Sequence, residues 1–331
     1  MKFLCCKTLF HDLIFHPDVV AFCCAKVTEE LLCIEKYDGS IITKEKYLES
    51  RNKYVECLKK GIIPEPCKKC HNLETKEWDE SIGFDVISLA YKTKCSICDC
   101  FYCTLSGGNP ERKKQSNAMK TYDIRPILEN LRNNNMINPG CSISVSGGEC
   151  TEYPTGELEY ITYFAMINNC VIEYLTSAIK YSECISFALS TIPSKIIVSV
   201  DSGTKQMYEK IKRVKAYDIV WENLKKYINC TKKNNKSFVF IKYIIIPGIN
   251  DNVEEAKIFI NKCKEINTKN ILIDMEFSWI SKHQNESATG NLLAIIKYFA
   301  IEKERLCNTI YIDFTNDCRF WCERQIKGEL K

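Results

Sequence analysis

The chain has 331 residues, 45% apolar and 27% charged, with a formal charge of +4 and 21 cysteines, which is the make-up of a folded globular protein of one large or two modest domains. Its charge is spread out, with no basic stripe interleaved with aromatics, so nucleic-acid binding is not expected. No run approaches the roughly 18 apolar residues of a membrane span, so no membrane partner is expected either.

Residues 1 to about 80 are cysteine-rich and irregular, with alternating apolar pieces such as Val19–Phe22 and Leu31–Ile34. They hold Cys5-Cys6, then Cys23-Cys24, then a break at Gly61-Ile-Ile-Pro64-Glu-Pro66 before Cys67-Lys-Lys-Cys70. No signal-peptide core or cleavage site is legible at the start, so a cytoplasmic location is expected. In a reducing compartment dense cysteine points to metal or cluster ligation, with the remainder packing as small apolar side chains.

From about residue 81 short apolar runs alternate with amphipathic ones. Strands are expected at Phe84–Ala90, Ser142–Val145, Val171–Leu175, Lys195–Val200, Ser237–Ile246 and Ile271–Glu276. Helices are expected at Tyr122–Asn133, Gly156–Ile167, Thr204–Lys212, Tyr217–Lys233 and Val253–Ile266. Strands each followed by helical sequence imply an α/β fold with a parallel sheet, whose ligands gather at the carboxyl ends of the strands. Residues 284–331 read as a C-terminal helical segment ending in Cys318 and Cys322.

The first expected strand leads into Cys95-Ser-Ile-Cys98-Asp-Cys100-Phe-Tyr102-Cys103, four thiols in one short loop. Three thiolates can hold a four-iron cubane and leave one iron open to a small chelating ligand. Cys100 and Cys103 form the tight half; Cys95 is the expected third ligand and Cys98 its rival. A zinc knuckle is the other use of four such thiols. Behind the next strand come Gly147, Gly148 and Glu149, where glycine permits close backbone approach and a carboxylate suits an ammonium group.

This loop resembles that of the radical S-adenosylmethionine (radical SAM) enzymes, whose usual pattern is C-x3-C-x2-C with an aromatic before the last cysteine. Here Cys95 and Cys100 enclose four residues, one more than that pattern. Ser146-Gly147-Gly148-Glu149 is similar to the family's Gly-Gly-Glu motif, and the resemblance covers about Ile82 to Ile280. It implies a partial (β/α)6 barrel over 81–283, with residues 1–80 as a small extension and helices behind. It implies a [4Fe-4S] cluster on Cys95, Cys100 and Cys103. S-adenosylmethionine would be met by Tyr102, Gly147, Gly148, Glu149, Ser177 at the end of the third strand, Asp201 near the ribose, and Lys242 near the carboxylate.

The N-terminal thiols resemble the SPASM and twitch extensions of the same enzymes, which bind an auxiliary cluster, although those usually follow the barrel. Cys6, Cys23, Cys67 and Cys70 are the expected ligands of a second [4Fe-4S] cluster, with Cys5 and Cys24 as neighbours in the same role and structural zinc as the other metal. The activity implied is reductive cleavage of S-adenosylmethionine to a 5′-deoxyadenosyl radical. That radical takes hydrogen from a peptide, or else from a small metabolite, with flavodoxin or ferredoxin as electron donor. A non-catalytic iron–sulfur protein is the reading from another class.

Overall fold

The computed structural model describes residues 2–16, 19–23, 33–36, 42–64, 67–68, 70, 73–90, 95–103, 123–283 and 285–328. The chain divides into two compact units, Met1–Lys94 with Lys114–Tyr174, and Cys95–Lys113 with Leu175–Lys331. Each is a mixed α/β body whose longer strands run parallel.

The first unit begins with β1 (Lys2–Cys5), α1 (Lys7–His11), β2 (Asp12–Phe15), β3 (Val19–Ala21), β4 (Cys33–Lys36), α2 (Lys44–Lys59) and β5 (Glu74–Glu77). It continues with β6 (Phe84–Leu89), α3 (Arg125–Asn133), β7 (Ile137–Val145), α4 (Glu157–Ile167) and the start of β8 (Val171–Thr176). β2, β6, β7 and β8 lie side by side in parallel, while β3 and β4 add antiparallel strands beyond β2. β1 and β5 form a separate antiparallel pair.

The expectation for the first 80 residues therefore needs revising in one respect. The segment is not wholly irregular: β2 pairs with β6 through Asp12↔Val86 to Phe15↔Leu89, and α2 runs for 16 residues from its Thr43 cap. The apolar pieces Val19–Phe22 and Leu31–Ile34 overlap β3 and β4, but runs this short do not fix a strand by their period.

The second unit holds α5 (Glu183–Thr191), β9 (Ser194–Ser199), α6 (Lys205–Lys212), α7 (Tyr217–Thr231), β10 (Phe238–Ile245), α8 (Val253–Glu265) and β11 (Asn270–Met275). α9 (Phe277–His283), α10 (Gly290–Leu306), β12 (Tyr311–Phe314) and α11 (Asn316–Lys327) follow. β9 to β12 are parallel neighbours in chain order. The expected strands and helices are present within a few residues, Tyr122 of the first helix lying outside the described residues; α5, α9 and β12 are additional. Helix starts follow local chemistry: Thr204 caps α6 by accepting from Met207 N at 3.2 Å, and Asn252 caps α8 by accepting from Glu254 N at 2.7 Å.

The strands alternate as a sheet covered on one face requires. Ile143, Val145, Ile172, Tyr174, Ile196, Val198, Ile241, Tyr243, Ile271 and Ile273 are fully buried or nearly so. The intervening positions are half-buried and more polar, with Ser144 and Glu173 in the first unit and Ser199 and Lys242 in the second. A parallel strand buried on both faces would be apolar throughout, so the polar positions mark a second, less covered face.

Candidate functional site

The cysteine loop, residues 95–103, lies in the second unit. Cys103 N donates to Cys100 O at 3.1 Å, which closes the Cys-x-x-Cys turn. The buried Cys98 thiol is within hydrogen-bond reach of the Cys95 and Cys100 sulfurs, and these contacts, with burial, push its pKa up. Cys100 moves the other way. The Cys98 thiol and the Lys212 ammonium favour its thiolate against the cost of burial, bringing it down to about 7.

The loop is stitched to the end of α6. Phe101 N donates to Ile211 O at 2.8 Å and Asp99 N to Lys212 O at 3.2 Å, so two carbonyls that a helix end leaves unpaired are satisfied. Arg213 closes α6 with φ +55°, lies 5.7 Å from the Phe101 ring centroid and pairs with Asp99 at 3.3 Å. Beneath this rim, Tyr102 Oη donates to Asp201 Oδ2 at 2.6 Å, and Lys212 Nζ donates to Tyr102 Oη at 2.7 Å and to Asp201 Oδ2 at 2.5 Å. Burial works against the Lys212 charge, but the Asp201 carboxylate outweighs it and its pKa is raised.

Asp201 was expected near a ribose. Its side chain is 0% exposed, and Oδ1 accepts from Ile244 N at 2.8 Å, so both oxygens are engaged within the chain. It sits at φ +63°, a left-handed conformation that its surroundings fix: Asn250 Nδ2 donates to Asp201 O at 2.8 Å and to Ile244 O at 2.8 Å. Two residues on, a Cβ at Gly203 would come 2.2 Å from Glu255 O, so only glycine fits. There Glu255 accepts from Gly203 N at 2.9 Å and Thr204 N at 3.0 Å.

The other expected contacts are placed as follows. Lys242, on β10, pairs with Asp274 at 3.1 Å. Ser177 Oγ accepts from Ile179 N at 3.4 Å, just past β8. In the first unit, Gly147 and Gly148 have φ +85° and +74°, conformations that demand glycine. Glu149 is 1% exposed and caps a short 3-10 turn, Oε1 accepting from Thr151 Oγ1 at 3.0 Å and Thr151 N at 3.3 Å.

The N-terminal thiols, also in the first unit, converge in part. Cys5 and Cys6 share a thiol hydrogen bond that lowers Cys6 to about 6, and Cys67 is near enough for its charge to act on Cys5. Cys70 N donates to Cys67 O at 3.0 Å, the same turn as at Cys100–Cys103. Cys23 follows β3 and is half-buried; Cys24 lies outside the described residues. Cys318 and Cys322 are buried on α11, with Cys318 Sγ 3.5 Å from Ile273 O, as core residues are.

No protein-family model and no curated protein matches the sequence. Solved structures do. SuiB of Streptococcus suis bound to its precursor peptide SuiA superposes with TM-score 0.54 at 12% identity, over 85% of this chain and 57% of SuiB. SuiB bound to S-adenosylmethionine gives 0.50 at 14%, over 85% of this chain and 55% of that one. The anSMEcpe enzyme with bound AdoMet gives 0.51 at 15%, over 69% and 61%. The fold is that of the radical SAM enzymes. The chain thus spans 57% of SuiB and 61% of anSMEcpe.

The loop's donors are of the kind that hold an iron–sulfur cluster. All four candidate ligands are sulfur, and the one carboxylate among them, Asp99, is turned to Arg213. Soft thiolates on a Cys-x-x-Cys turn suit an iron–sulfur cluster, which spreads its ligands over separate irons. Among the described residues, no three His, Cys, Asp or Glu side chains are arranged around a single metal ion. No described helix is long and apolar enough to cross a membrane.

Sequence reasoning gave no role in this site to Lys212, Asn250 or Asp274. Lys212 reads as an ordinary basic residue in a helix's last turn, and its partners lie 11 and 110 residues away.

Proposed function

We propose that this chain is a radical SAM enzyme that modifies a peptide or protein. The observation that carries the reading is a four-cysteine loop, closed as a Cys-x-x-Cys turn and tied to the end of α6, in a chain with the radical SAM fold. Cys95, Cys100 and Cys103 would hold a [4Fe-4S] cluster, with Cys98 beside them. When bound, that cluster supplies the one-electron reduction that cleaves S-adenosylmethionine to methionine and a 5′-deoxyadenosyl radical, the species that takes hydrogen from substrate.

The chain's own residues bind and orient. The backbone at Gly147 and Gly148, together with Glu149, would receive the methionine ammonium group. Lys242 would meet the carboxylate, leaving Asp274 for it, and Ser177 would add a hydroxyl contact. Tyr102, half-buried, would border the nucleotide. A peptide substrate is supported by the likeness to SuiB, whose structure holds a precursor peptide. Cys6, Cys23, Cys67 and Cys70, with Cys5 alongside, would hold a second cluster, and a flavodoxin or ferredoxin would deliver electrons. Such chemistry belongs in a reducing cytoplasm.

Anaerobic reconstitution with iron and sulfide, followed by S-adenosylmethionine and dithionite, tests the reading. The expected product is 5′-deoxyadenosine, lost in the Cys95→Ala, Cys100→Ala and Cys103→Ala variants. A fully loaded wild type that forms none with any peptide or metabolite offered overturns the enzyme reading in favour of an electron-transfer protein. Iron and sulfide per chain should fall from two clusters to one in a Cys67→Ser/Cys70→Ser variant; an unchanged count removes the second cluster from that site.

A further inference from the structure

Asp201, Lys212 and Tyr102 form a closed ring of charge-assisted hydrogen bonds inside the second unit. The phenol donates to the carboxylate, and the ammonium donates to both phenol and carboxylate. The two ionic side chains are 0% and 5% exposed. A buried ion pair is seldom the most stabilising content for its volume, because both charges lose their water. Where one is kept, it fixes a geometry, and the question is which.

Three observations give the answer. Tyr102 lies between Cys100 and Cys103, so fixing its hydroxyl fixes the turn that carries both thiols. Asp201 cannot drift, since Ile244 N holds Oδ1 and Asn250 holds its carbonyl. Lys212 is the last residue of α6, whose terminal carbonyls already take the loop amides of Asp99 and Phe101. The loop is thus held at the rim by its backbone and beneath by one phenol. An apolar contact completes the seat: Tyr102 packs against Ile211, Ile244 and Ile246.

We infer that Asp201 and Lys212 are positioning residues that hold Tyr102, and with it the Cys100–Cys103 turn, in the geometry in which the thiols take up a cluster. The inference rests on the radical SAM reading for what the thiols bind, and it gives Asp201 a role other than the ribose contact expected from the sequence. Neither residue touches substrate; both act through the loop. Preorganising the ligands spares the cluster the cost of ordering them.

The test uses the full-length chain. Asp201→Asn/Lys212→Met removes both charges together, so no lone ion is left buried, and its fold is checked by far-UV circular dichroism. Peptide-resolved hydrogen exchange is first read on the cluster-free protein. The amides of Asp99 and Phe101 are expected to exchange about tenfold faster than in wild type. Wild-type exchange rates overturn the inference.

After anaerobic reconstitution, loss of the iron–sulfur absorbance to EDTA is timed. It is expected to run about tenfold faster in the double variant and within about twofold of wild type in Lys212→Arg, which keeps the charge. Fast exchange with wild-type cluster release shows a loop ordered to no purpose for the cluster, and overturns the inference as well. Tyr102→Phe, which deletes one hydroxyl and leaves the ion pair intact, should show the same two effects at about threefold and keeps the test open if the double variant does not fold. A wild-type chain that retains no iron or sulfide overturns the radical SAM reading itself. That failure is told apart from failure of the clamp because exchange is measured without the cluster.

Discussion

Lys212 and Arg51 are each 4% exposed, and each ties an irregular segment to the rest of its own unit, yet their partners differ in kind. Lys212 meets a full opposite charge on Asp201 and a phenol on the cysteine loop. Arg51 meets no carboxylate in its hydrogen bonds. Its guanidinium donates to Ser81 O at 3.2 Å and Glu80 O at 3.0 Å, on the segment that leads into β6, and lies 5.3 Å from the Phe10 and 5.9 Å from the Tyr47 ring centroid. The difference follows from the ions. A compact, strongly hydrated ammonium needs a counter-charge to be buried, whereas a flat, weakly hydrated guanidinium is buried against carbonyl dipoles and ring faces, here with Nε left without a hydrogen-bond partner.

The contrast predicts unequal losses. Lys212→Met alone leaves the buried Asp201 carboxylate without its partner, and should cost about 3–5 kcal/mol in urea unfolding. Adding Asp201→Asn should recover most of that loss, because the stranded charge is what costs. A double variant as unstable as the sum of its parts would break the comparison. Arg51→Met keeps the apolar stem and leaves only neutral carbonyls behind, so a loss of about 1–3 kcal/mol is expected. A loss at Arg51 as large as that at Lys212 would mean that the kind of partner does not set the cost.

Neither cation could be found by spacing. The elements around them were legible: Thr204 and Asn252 announce helix starts, and the alternation in Lys195–Val200 and Ile271–Glu276 announces strands. The cysteine loop and the glycine pair stood out because their residue types are adjacent in sequence and carry their chemistry locally. What joins Tyr102 to Asp201 and Lys212 is contact across 99 and 110 residues, which no local pattern encodes. Strands β2 and β12, four residues each, failed for another reason: Asp12-Leu-Ile-Phe15 and Tyr311-Ile-Asp-Phe314 are too short to show a period, and their partners define them. Asp201 shows the limit most plainly. It follows strand β9, but the direction in which its carboxylate is spent depends on Lys212, to which the sequence alone gives no role.

Between the two buried cations stands an intermediate case, Asp313 on β12, where the carboxylate is buried and its cations are not. Its side chain is 9% exposed, against 39% for Lys303 and 41% for Arg319. Lys303 Nζ donates to Oδ1 at 2.8 Å, Tyr311 Oη to Oδ2 at 2.7 Å, and Arg319 Nη2 to Oδ2 at 2.5 Å. Burial alone would raise the carboxyl pKa, but these donors outweigh it and hold it below its ordinary 3.8. In acid the unfolded chain therefore binds the proton more readily than the folded one. The stabilisation is complete above the ordinary value and is lost as the pH falls through the folded one. Solvent screens both cations, so Asp313→Asn should cost only about 1 kcal/mol at neutral pH. The measurement is the difference in melting temperature between wild type and variant, followed from pH 7 downward. It should shrink once the pH passes below 3.8. A difference that persists undiminished into strong acid would show that shape, not charge, holds β12 against α11, and would set Asp313 apart from the Asp201–Lys212 pair.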